Sequence, residues 1–159
     1  MKYSILAGIV LALATVGCMS TPAGLHVYES KVGCTSDGEC PWEDGAKHNF
    51  YLARLHEIVI VPGQPFKVIA HEACHAHQQQ EVIDETGHDV SRTLVEWLDT
   101  DEAFSYNAVV IAAGPAPWGD SGIRVLEDFA EACGRYLAND DRWPQEPQRA
   151  AWFAARGFK

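Results

Sequence analysis

Basic residues are scarce in this chain: 12 Lys and Arg stand against 22 Asp and Glu in 159 residues, a formal net charge of −10. That shortage excludes binding to nucleic acid through a basic face, which needs clustered Lys and Arg against the phosphates. Long apolar runs are lacking too. The longest, Ile5 to Val16, is about 12 residues, against the roughly 20 that a helix needs to cross a bilayer. No internal repeat and no second apolar span follow it. The composition also lacks the signature of a disordered chain, because 47% of residues are hydrophobic and only 21% charged. The length suits one domain.

What is present at the start is a short positive segment, Met1-Lys2-Tyr3, then the apolar stretch through Ile5, Leu6, Ile9, Val10, Leu11 and Leu13. This pattern is that of a signal peptide over residues 1–17. It ends Thr15-Val16-Gly17-Cys18, which resembles a bacterial lipobox, although Thr15 stands where Leu is usual. The resemblance implies an exported chain lipidated at Cys18 and touching the membrane only through that anchor. With Met19 in place of a retaining Asp, the implied location is the cell envelope, at the outer membrane in a Gram-negative host. An ordinary cleaved signal, giving a secreted or periplasmic product, is the alternative.

Five cysteines are present, and an odd count in an exported chain calls for an explanation. If Cys18 carries lipid, Cys34, Cys40, Cys74 and Cys133 remain as disulfide candidates, with three possible pairings. Cys34 and Cys40 flank the turn-rich Thr35-Ser36-Asp37-Gly38-Glu39 and can close a loop, which leaves Cys74 with Cys133.

The rest reads as a tether and cystine-closed loop over 18–49, then a domain over 50–159. His56 to Val61 has the β-branched content of a strand, stopped by Pro62-Gly63. Phe66 to about Glu85 lacks breakers and repeats Phe66, Ile69, Ala70 and Ala73 at helical spacing. Ser91 to about Ala113 follows as a mostly helical segment, broken at Gly114-Pro115. Asp120 or Ser121 can cap a helix with Val125, Leu126, Phe129, Ala130, Cys133 and Leu137 on one stripe. Pro144 can open a short last helix containing Trp152 and Phe153.

The chemistry lies in His71-Glu72-Ala73-Cys74-His75, an H-E-x-x-H pattern on the first helix. Residues i and i+4 share a helical face about 5–6 Å apart, so both imidazoles can reach one cation. Glu72 is placed to act as general base on a metal-activated water. Two histidines on an ordinary amphipathic helix are the bland alternative. A catalytic zinc needs a third protein ligand. His77 points roughly 200° away from His75, Gln78 and Glu81 break the longer three-histidine pattern, and His88 is a weak candidate. Glu127 is the better one: Glu127 and Glu131 are again i and i+4, so one can bind metal while the other orients a ligand histidine. A solvated acidic face is the alternative for that pair.

Together, His71-Glu72-x-x-His75 and Glu127-Asp128-Phe129-Ala130-Glu131 resemble the gluzincin metallopeptidases, and more narrowly small exported zinc peptidases and lethal-factor-like domains. The resemblance covers roughly residues 51–140 and is specific only at the two motifs. It implies an α+β, zincin-like fold with a small sheet, an active-site helix and a helical C-terminal half. It implies Zn2+ held by His71, His75 and Glu127, Glu72 as base, Glu131 on a ligand histidine, and a peptide or protein substrate. Related domains often carry an oxyanion-stabilising Tyr shortly before the ligand Glu. Residues 118–124 have none, leaving Tyr106, Tyr51, His88 and Arg124 as candidates. That departure keeps a second function open: a zincin scaffold with weak or no catalysis, binding metal or a partner at the envelope. If both motifs meet at one metal, a Cys74–Cys133 disulfide can staple their helices; a buried free Cys74 is the alternative.

Overall fold

A computed structural model describes residues 25–40, 48–87, 94–114, 124–139 and 146–158; at Arg124 it describes the backbone alone. The apolar N-terminal stretch, Cys18, His88 and the 115–123 stretch lie outside the described residues. The architecture is α+β. Strands β1 (His26–Glu29), β2 (Phe50–Leu52) and β3 (Glu57–Ile60) form one sheet in the order β1-β3-β2. Helices α1 (Phe66–Thr86), α2 (Asp101–Ala113), α3 (Arg124–Leu137) and α4 (Pro147–Ala155) follow.

The central strand is β3, paired parallel to β1 (Val27 opposite Ile58) and antiparallel to β2 (Tyr51 opposite Ile58). All four of its residues are buried. The single strand read from the sequence is therefore the second arm of a hairpin. Ala53–Leu55 forms one 3-10 turn, and His56 takes a left-handed conformation at φ 48° that reverses the chain. β1 lies within the stretch read as a tether, because four residues without strong alternation carry little strand signal. The Cys34–Cys40 disulfide closes the loop after β1. Glu57 holds that loop to the sheet by accepting a hydrogen bond from the Ser36 N–H at 3.0 Å.

Helix α1 runs 21 residues, ending where Gly87 adopts φ 70° as a left-handed cap. It is amphipathic in an unusual sense, since it has two apolar faces. Ile69, Ala73 and Ala76 pack on Ile58 and Ile60 of the sheet. Cys74 and Val82 pack in a second core with Trp97, Tyr106, Phe129 and Phe153 from the helical half. The helix is thus a shared wall between sheet and helices.

The mostly helical segment from 91 is interrupted where Thr100 leaves helical geometry and its hydroxyl accepts the Ala103 N–H. A 3-10 turn over Leu94–Asp99 precedes it and α2 follows. Thr is a good N-cap, which explains the break. The last helix begins at Pro147, also a first-turn proline, and not at Pro144, which lies outside the described residues. Arg149 of that helix is fully buried, with Nε and Nη2 donating to the two oxygens of Asp128 at 2.9 Å each. Tyr106 donates to the same carboxylate at 2.6 Å. These three residues fix α4 and α2 to α3.

Candidate metal centre

The site is built by α1 and α3 packed antiparallel. His71 faces Glu131 and His75 faces Glu127, so residues four apart on one helix meet residues four apart on the other. Gly134 permits the approach. A Cβ there would sit 2.8 Å from the His71 backbone nitrogen, 2.9 Å from its Cα and 3.0 Å from the Lys67 carbonyl oxygen. Only a glycine lets the two backbones come so near. The Cys74–Cys133 disulfide, Cα to Cα 6.2 Å, links the same helices. Closing a loop with a sequence separation of 59 residues contributes about 4 kcal/mol in the chain-entropy account.

Three donor atoms converge. His71 Nε2 and His75 Nε2 are 3.1 Å apart, and Glu127 Oε2 lies 3.6 Å and 3.5 Å from them. Ligands held at 2.0–2.1 Å by a tetrahedral zinc are separated by about 3.3–3.4 Å. The triangle therefore fits one small tetrahedral cation with little adjustment. Glu72 completes the group: one of its oxygens and the two ring nitrogens all lie within 4.8 Å of one another.

Each histidine is also held from behind. His71 presents Nδ1 to Glu131 Oε2 at 3.2 Å, and Arg135 pairs with the other oxygen of Glu131. His75 presents Nδ1 to Gln78 Oε1 at 2.8 Å, while the Gln78 amide donates to the Leu126 carbonyl at 3.0 Å. Because a glutamine oxygen can only accept, Nδ1 of His75 carries the proton and Nε2 offers a lone pair. A ring so oriented is the usual state of a metal-binding histidine.

The electrostatics follow. Its interaction with the His75 ring outweighs burial and holds the Glu127 carboxyl below its ordinary range. His71, with help from Arg135, does the same for Glu131. Burial opposes charge on the His71 ring, but Glu131, Glu72 and Glu127 outweigh it and raise its pKa. Glu72 behaves oppositely. Burial dominates there and raises its pKa, against the pull of His71, His75 and a hydrogen bond from the Tyr51 backbone N–H. A buried carboxylate with raised affinity for protons, beside two imidazoles, is placed to accept a proton.

These groups open into a cleft of about 730 Å³, walled by Phe50 and Tyr51 of β2, Val68 of α1 and Leu94. The structure brings His71, Glu72, His75, Glu127 and Glu131 together. It does not bring Tyr106 to them. That side chain is fully buried among Phe129, Trp152 and Phe153, and its hydroxyl is committed to Asp128. Tyr51 lines the cleft, but its hydroxyl bonds His56 Nδ1 at 2.6 Å. His88 and the Arg124 side chain lie outside the described residues.

Sequence reasoning passed over Gln78, Gly134 and Arg135. Gln78 follows His75 by three, the spacing at which a side chain returns to its neighbour on the helix. Gly134 interrupts an otherwise good helix at a cost of about 1 kcal/mol, and that cost is the signal of a close crossing. No protein-family model, curated protein or solved structure matches this chain. Its class therefore rests on this geometry: an α+β domain with a His/Glu group able to hold a metal ion.

Proposed function

We propose that this chain is an exported zinc-dependent peptidase, with His71, His75 and Glu127 as metal ligands and Glu72 as general base. The observation that carries the reading is the triangle of donor atoms, with edges of 3.1, 3.5 and 3.6 Å, beside a buried carboxylate. Two histidines and one carboxylate leave a fourth position for water or substrate, as catalytic rather than structural zinc sites do. Zinc bound there supplies Lewis acidity and lowers the pKa of water toward about 7. Glu72 takes the proton from the attacking water and returns it to the leaving amide nitrogen. Glu131 and Gln78 hold the two imidazoles in the tautomers that ligation requires. The small sheet followed by an active-site helix supports a zincin-like domain.

The two disulfides support export, since such bonds persist in oxidising compartments. Cys18 is the lipid attachment point in this reading. Loss of membrane partition in Cys18→Ser tests that part on its own.

The central test compares wild type and Glu72→Gln, each with stoichiometric zinc, on a mixed peptide library. The expected result is equal zinc content and a loss of turnover by on the order of 10²–10⁴. Equal turnover would sink the role of Glu72. A second reading, a zincin scaffold that binds metal or a partner with little hydrolysis, draws on the position of Tyr106 in the core. Tight zinc with no turnover by either protein would favour it.

A further inference from the structure

The antiparallel register that pairs His75 with Glu127 and His71 with Glu131 continues for one more turn. Four residues before His71 stands Lys67, and four residues after Glu131 stands Arg135. The same row therefore brings both cations to one end of the metal cleft. Gly134 confirms the alignment, since its closest neighbours are the Lys67 carbonyl and the His71 backbone. Lys67 and Arg135 both line the cleft, with Gln64 from the loop before α1. Lys67 is half-buried, and Arg135 is only 5% exposed.

Charge is distributed unevenly here. The chain as a whole carries −10, yet the lining of this cleft does not repeat that sign. Its charged residues are Lys67 and Arg135 against Glu72, Glu127 and Glu131. With a divalent metal in place the cleft is net positive by one, and its positive end is one helical turn from His71. A cleft with low-dielectric walls focuses the field of the charges that line it. The apolar surfaces of Val68 and Phe50 flank the same opening.

We infer that Lys67 and Arg135 form an anion subsite that takes a carboxylate of the substrate, beside the metal. The inference rests on the peptidase reading for the word substrate, but the geometry of the subsite does not need it. A guanidinium is a planar fork that suits carboxylates, and an ammonium adds a point charge on a long stem. One helical turn is about 5.4 Å, and an extended peptide advances roughly 3.3–3.4 Å per residue. The recognised carboxylate is therefore one or two residues from the scissile bond. It belongs either to the free C-terminus of a short peptide or to an Asp or Glu side chain.

Binding of labelled tetrapeptides to zinc-loaded Glu72→Gln protein tests this without turnover. One sequence is made in four forms: free C-terminus, C-terminal amide, amide with one Glu, and amide with Gln at that position. The free acid, the Glu peptide or both bind on the order of tenfold tighter than their neutral counterparts, and which one does so identifies the source of the carboxylate. The preference persists in metal-free protein, and Lys67→Met reduces it to twofold or less. Arg135→Lys, which keeps the charge beside Glu131, reduces it partially. No preference overturns the subsite. So does a preference that vanishes with the metal, which would mean that the metal itself takes the carboxylate, and so does one that Lys67→Met leaves intact. The preferred peptide is then offered to wild type. Binding preference without cleavage removes the peptidase reading and leaves the subsite standing; cleavage without preference does the reverse.

Discussion

Helix α1 carries two groups of histidine and carboxylate on different faces, and they are built differently. In the first, His71, His75 and Glu127 point three acceptor atoms at a common centre, while the other nitrogen of His75 bonds Gln78 and that of His71 faces the Glu131 carboxylate. In the second, His77, Glu81 and Glu102 also bring ligand atoms within 4.8 Å. There, however, His77 Nε2 is spent directly on Glu102 at 3.0 Å, and Glu81 stands off at 3.9 Å. The other oxygen of Glu102 accepts the Trp97 indole N–H at 3.0 Å. The His77 ring is stacked on Phe129 at 5.9 Å between centroids and edged by Phe158. The first group aims three lone pairs at one point; the second is a satisfied polar bridge between α1 and α2. Residue type and proximity are the same, so what separates a metal centre from a structural network is where the lone pairs point.

The sharpest way to break that distinction is to count metal. His75→Ala removes one of the three proposed ligands and with it roughly a third of a zinc binding free energy on the order of 10 kcal/mol. Affinity falls by at least two orders of magnitude, read by competition with a chromophoric chelator. His77→Ala leaves one zinc per chain, measured on untagged protein, and lowers thermal stability instead. A second zinc in wild type, lost in His77→Ala, would erase the contrast.

Next in size is Gly134→Ala. The added methyl meets backbone rather than a yielding side chain, so α1 and α3 must separate. Overpacking of this kind costs about 1–3 kcal/mol, and the separation pulls Glu127 from the histidines. Both stability and zinc affinity should drop, the latter more than tenfold. An equally large loss of stability with unchanged zinc affinity would show that the helix crossing does not set the site. Gln78→Leu follows, with a tenfold to hundredfold loss in zinc affinity expected from removing a partner behind a ligand histidine. Glu102→Gln in the second group should leave that affinity unchanged.

The site was far more legible than the fold around it. His71, Glu72, His75, Glu127 and Glu131 could be singled out because i, i+4 spacing is a local rule, and both pairs obey it on uninterrupted helices. β1 and β2 could not, since they are four and three residues long and owe their existence to pairing with β3. The fate of Tyr106 was equally hidden. A tyrosine on a helix is accessible or buried according to tertiary packing, and here Asp128 and Arg149 draw it into the core. Gln78 and Gly134 were visible but mute, because their meaning depends on which helix faces them.

The smallest effect separates the two groups by pH. Burial raises the Glu81 carboxyl above its ordinary value, the charges of Glu102, Asp84 and Glu85 add to it, and His77 only partly offsets them. A carboxyl whose folded pKa is raised takes up protons more readily in the folded state, so its ionisation costs stability as pH rises. The cost begins above the ordinary value of 4.5 and is complete once pH exceeds the raised folded value. Glu81→Gln should therefore raise the Tm at pH 7 by about 1–2 °C, given how a fraction of a kcal/mol translates for a chain of this size. The advantage should disappear below about pH 4, where Glu81 is protonated in both states. The first group responds in the opposite direction. Acid protonates His71 and Glu127, and zinc affinity falls as protons compete for the same lone pairs. Thermal scans of wild type and Glu81→Gln in metal-free buffer, from pH 4 to pH 8, isolate the second group from the first. If Glu81→Gln is less stable than wild type at pH 7, then Glu81 is held by a favourable partner rather than crowded by like charges, and the second group is closer to an ion site than its hydrogen bonds suggest.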